Sequence, residues 1–79
     1  MPSTPRLRRA LPQEQIIHPD LPIPVWAGLR FYAGGKMWQP PADVEALAVA
    51  WSGQAVEVRW VHEGEERTDW IDAVDVRRR

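Results

Sequence analysis

Apolar and polar side chains alternate through residues 55–62, AVEVRWVH. Val56, Val58 and Trp60 fall on one side, and Glu57, Arg59 and Val61 on the other, the period of a half-buried strand. Glu63-Gly64-Glu65 follows as a hairpin loop whose glycine is free to take positive φ, and 67–72, RTDWID, returns as the partner strand. Upstream, 25–32, VWAGLRFY, is rich in strand formers and runs into the turn Ala33-Gly34-Gly35-Lys36. Val74 to Arg77 predicts a short final strand.

The stretch 40–51, PPADVEALAVAW, fits two periods. Val44, Leu47, Ala48 and Trp51 stand on one face of a helix, with Pro41 in its first turn and Gly53 beyond its end. Read the other way, Val49-Ala50-Trp51 and Ala55-Val56-Glu57 flank Ser52-Gly53-Gln54 as a hairpin. A strand at 42–51 would pair directly with 55–62, and this is the expectation. A helix at 41–51, in an α+β fold, is the alternative.

A chain of 79 residues allows one small domain and no second core. Residues 1–24 hold six of the eight prolines and no aromatic residue. Proline removes backbone donors and disfavours helix in the residue before it. Residues 1–23 therefore read as an extended or disordered arm, 24–77 as the folded domain, and 78–79 as a basic tail. In so small a domain a few large side chains must do much of the burying, and five are tryptophans. Trp26 and Trp70 are expected in the core.

Charge is segregated although the net value is only −1. Residues 25–76 carry Arg30, Lys36, Arg59 and Arg67 against nine acids, whereas Arg6, Arg8 and Arg9 lie before them and Arg77, Arg78 and Arg79 after. An acidic body is a poor surface for nucleic acid and a better one for a cationic peptide. There are no cysteines, which removes thiol chemistry and disulfides and points to a reducing cytoplasm. No segment reads as a membrane span or signal peptide. Arginine outnumbers lysine nine to one and asparagine is absent, the coding bias of a GC-rich bacterial genome.

The order of these signals resembles the Tudor group of SH3-like barrels. The residues that carry the likeness are VWA and its glycine turn, then Trp38-Gln39-Pro40-Pro41-Ala42-Asp43-Val44, then VEVRW with an acid-Gly turn, and finally DWIDAVDVR. The resemblance covers 24–77 and implies a small five-stranded barrel. It also implies an aromatic cage for a cationic side chain, held by attraction between the cation and ring faces. Carried onto this chain, the cage positions are Tyr32 or Phe31 in the first turn, Trp38 on the second strand and Trp60 on the third. The last position, before Gly64, is Glu63 where the group has an aromatic ring, and His62 stands where an acid is common.

The expected protein is thus mainly β, a Tudor-like barrel with an N-terminal arm. The expected function is non-catalytic binding of another protein through a basic segment, using Tyr32, Trp38, Trp60 and Glu63. The alternative is a nucleic-acid accessory or regulatory protein of plasmid or phage type that grips phosphates with Arg6, Arg8, Arg9, Arg77, Arg78 and Arg79. No Ser-His-Asp or Cys-His order points to catalysis, no cofactor motif is present, and His18 and His62 lack metal-ligand spacing. Asp69 and Asp72 read as exposed strand residues. An unpaired sheet edge or an aromatic patch would favour a dimer.

Overall fold

The computed structural model describes residues 6–37 and 41–79. Its strands are β1 (Arg6–Leu7), β2 (Ile23–Leu29), β3 (Phe31–Ala33), β4 (Lys36–Met37), β5 (Ala42–Ser52), β6 (Ala55–His62), β7 (Glu65–Asp72) and β8 (Val76–Arg78). A single 3₁₀ turn, Ala73–Asp75, precedes β8. The strands form two antiparallel sheets, one in the order β1-β3-β4 and the other β7-β6-β5-β2-β8. The larger sheet keeps two edge strands, β7 and β8, so the expected closed barrel does not form.

Two local features explain the open form. The stretch 25–32 is not one strand but breaks at Arg30. There the Arg30 guanidinium donates to both Asp75 oxygens, at 3.0 to 3.2 Å. That hydrogen bond, and then the charge of Asp75, raise the Arg30 pKa above its ordinary value. Beyond the break the chain joins the small sheet, while the outer edge of β7 receives arm residue Ala10, whose N–H donates to the Trp70 carbonyl.

The stretch 42–52 is a strand and not a helix, although its alanines, Leu47 and Glu45 favour helix. Its place decides the matter: β5 lies between β2 and β6 and pairs with both. Val44, Ala46 and Ala48 face Ala27, Val25 and Ile23 in register and join the core. Val58, Trp60 and Ile71 complete that inner face from β6 and β7. Among the described residues, half of the ten buried apolar ones are alanines, at 27, 46, 48, 50 and 55. Trp60 is the one tryptophan buried outright among the described residues. Trp26 and Trp70, expected in the core, are half-buried. Each sits between two inward residues (Val25 and Ala27, Asp69 and Ile71), so the strand period turns it to the other face.

Register shifts at Val49, so that Ala48 faces Val58 while Ala50 faces Glu57. This bulge moves Ala50 and Ser52 to the outer face. The arm covers them there: the Glu14 N–H donates to Ser52 Oγ at 2.8 Å, and Ser52 Oγ donates to the Glu14 carbonyl at 2.6 Å. Ile17 and Trp51 then exchange backbone hydrogen bonds at 2.8 and 2.9 Å. Residues 10, 14 and 17 thus tie this N-terminal segment to the sheet.

The turns follow their glycines. Ala33 pairs with Lys36 across Gly34-Gly35, and His62 with Glu65 across Glu63-Gly64, with positive φ at all four loop residues. Gly53 opens the β5–β6 turn at φ 57°, and a Cβ there would stand 3.3 Å from Glu14 Cδ. Gly53→Ala is expected to lose about 1–2 kcal/mol, the left-handed backbone penalty, in a urea titration with unchanged slope.

Candidate functional site

The outer face of the larger sheet divides at its middle. One end is covered by arm residues His18, Pro19 and Pro22, which border Val49, Glu57, Arg59 and Thr68. His18 Nδ1 lies 3.1 Å from the Val49 carbonyl. The other end is open, a groove lined by Trp26, Leu47 and Val61 with Asp43, Glu45, Glu66, Arg59 and Arg79 around them. Strand alternation builds it: Trp26 stands opposite Glu45, Leu47 opposite Arg59, and Val61 opposite Glu66. Val61 is 65% exposed, a large value for a valine beside a tryptophan and a leucine.

Glu45 and Glu66 are the more exposed partners of loose ion pairs, 3.5 Å from Arg79 and 3.7 Å from Arg59. Asp43 lies 3.0 Å from Arg77, both side chains being exposed. Pairs of this kind contribute roughly 0–1 kcal/mol each, so an incoming cation can replace the internal one. The groove has an apolar floor, an acidic rim and no nucleophile paired with a base. Among the described residues no three His, Asp or Glu side chains converge as a metal centre requires. Among them, too, no helix is long and apolar enough to cross a membrane.

No family model, no curated protein and no solved structure matches this chain.

The residues singled out from the sequence are dispersed. Tyr32 sits in the small sheet between Arg6 and Met37, 38% exposed. Trp38 lies outside the described residues. Trp60 is 4% exposed, and its indole N–H donates to Asp69 Oδ2 at 2.8 Å. Arg67 covers one ring face of Trp60, its guanidinium carbon 5.2 Å from the ring centre, and His62 packs against the ring at 5.4 Å. Glu63 is at the tip of the β6–β7 hairpin, 4.0 Å from His62 Nε2.

The terminal arginines are largely engaged by acids of the body. Arg8 lies 3.9 Å from Asp72, and Arg9 lies 3.1 Å from Asp69. Arg77 and Arg79 reach Asp43 and Glu45, and Arg79 also donates to the Ala46 carbonyl. Arg6 and Arg78 are exposed in β1 and β8.

Among the described residues, two polar side chains outside the expected site are the buried ones. Asp69 is 5% and Ser52 1% exposed. Asp69 was expected on the surface. It points inward because the two-residue turn at Glu63-Gly64 sets it opposite Val58. The turn length was the signal that could have placed it. Trp26 was legible in the same way, from the alternation in VWAGL.

Proposed function

We propose that this protein is a non-catalytic interaction module that takes a basic segment of another protein on the open half of its outer sheet face. The observation that carries the reading is the groove of Trp26, Leu47 and exposed Val61 rimmed by Asp43, Glu45 and Glu66. Its apolar floor accepts the aliphatic stem of a lysine or arginine, and its carboxylates accept the charged end. The resemblance of the sequence signals over 24–77 to the Tudor group supports the same class of function. The aromatic contact belongs in this reading to Trp26, since Trp60 is enclosed by its own neighbours. The holding of Arg9 by the enclosed Asp69 carboxylate argues against the phosphate-gripping alternative.

Calorimetry with an oligo-arginine peptide tests the proposal. The parent protein is expected to bind with an affinity that falls as salt rises. Joint Glu45→Lys and Glu66→Lys substitution is expected to abolish binding while stability stays within about 0.5 kcal/mol of the parent. Equal binding by the reversed-charge variant would defeat the assignment. Tight binding of duplex DNA, lost on replacing Arg6, Arg8 and Arg9, would favour the alternative.

A further inference from the structure

The two buried polar side chains identified in the body share one property: both are held by the N-terminal arm. Asp69, its side chain 3% exposed, receives Arg9 Nε at 3.1 Å. Ser52 both accepts from and donates to the backbone of Glu14. Between them the Ala10 N–H donates to the Trp70 carbonyl on the outer edge of β7, and beyond them Ile17 adds a backbone pair to Trp51. Ahead of them Leu7 packs on the core. The arm thus starts against the inner face, rounds the β7 edge and lands on the outer face. Residues 7–17 are seated as a peptide is seated in a receptor, read at an arginine, at an edge-strand carbonyl, at a buried hydroxyl and at a strand terminus.

The link to the rest of the chain is thin. Residues 18–22, HPDLP, join Ile17 to the start of β2, hold two prolines, and leave Leu21 77% exposed. Five residues span at most about 18 Å when extended, more than three strand spacings, so the seated segment is not confined to its own body. We infer that this groove is also filled in trans, by the arm of a second copy of the chain, in an arm-exchanged dimer. The occupant follows from what the groove reads. A second copy carries the same arginine, the same backbone positions and the same spacing, so exchange preserves each contact and needs no new one. A copy whose arm has left exposes Ser52, Asp69 and the β7 edge together, which is the surface the incoming arm satisfies. This inference is independent of the groove at Trp26.

Single-cysteine copies test it, since the chain has no cysteine of its own. One copy carries Ile17→Cys and the other Trp51→Cys, the two positions paired by the arm. The copies are mixed, released by mild denaturant, returned to buffer at high concentration and oxidised. The expected product is a disulfide-linked heterodimer. An Ile17→Cys copy mixed with a Val74→Cys copy, whose cysteine is exposed but not paired with Ile17, is expected to give little. Adding Ser52→Ala to the Trp51→Cys copy is expected to reduce the heterodimer. Circular dichroism confirms that each copy is folded. As a measurement free of substitutions, sedimentation of the parent chain is expected to show a species of twice the chain mass that grows with concentration. Cross-linking no greater than with Val74→Cys, or a single monomeric species up to millimolar concentration, overturns the inference.

Discussion

Asp69→Ala is expected to lower the unfolding free energy by about 3 kcal/mol, close to the largest effect of any single substitution in this chain. The reasoning starts from burial. The carboxylate is enclosed in the sheet interior and accepts the Trp60 indole N–H at 2.8 Å. Removing it leaves that donor without an acceptor in the core, a loss of roughly 1–3 kcal/mol. It also releases Arg9, which holds the arm from 3.1 Å, and leaves Arg67, 3.7 Å away, without its carboxylate. Both arginines reach solvent and so lose little by themselves, being 60% and 36% exposed. Asp69→Asn keeps an oxygen for the indole and is expected to recover part of the loss. Urea titration followed by tryptophan fluorescence measures both variants, with unchanged slope as the sign of a shared unfolded state. An Asp69→Ala protein within about 0.5 kcal/mol of the parent would show that the enclosed network contributes nothing net.

Trp60→Ala is expected to lose more, about 4 kcal/mol, because it opens a large void and strips Asp69 of its shortest hydrogen bond. A domain of this size has a stability of roughly 5–15 kcal/mol, so the variant approaches the folding threshold. Its melting midpoint should fall by roughly 20 °C, read by far-UV circular dichroism. Trp60→Phe keeps most of the volume but not the donor and should fall between. This outcome separates a core residue from a ligand contact. A Trp60→Ala chain that melts with the parent and merely fails to bind a cationic peptide would return the ring to the recognition surface.

Much of the larger sheet could be read from the chain. The alternation of AVEVRWVH gave the phase of β6 correctly, and the glycine turns at 34–35, 53 and 64 mark where strands reverse. The preference for a strand at 42–51 over a helix also matches the structure, because hairpin partners on the downstream side outweighed helical propensity. Closure into a barrel did not follow. Nothing in VWAGLRFY announces that Arg30 will bond to Asp75, 45 residues away, and break the strand there. Burial of the tryptophans was misjudged for a related reason. Apolarity marks a residue as able to be buried, whereas the strand period marks which face it takes. Trp26 obeys the period and leaves the core to Val25 and Ala27. The anchoring of the arm at Arg9 and Glu14 was not legible, since these anchors are single polar atoms rather than an apolar stripe.

The extra residue at Val49 makes β5 tolerant of a change in length at one point, because the ladder on either side of it keeps its partners. Upstream of it alanines line the interior; downstream the same small side chains, now turned over, give the arm room to lie close. Losing Val49 itself would leave Ala48 opposite Val58, Ala50 opposite Glu57 and Ser52 opposite Ala55, so each side chain would keep its face and the arm its seat. Relatives of this chain should therefore tolerate a one-residue gap at this spot.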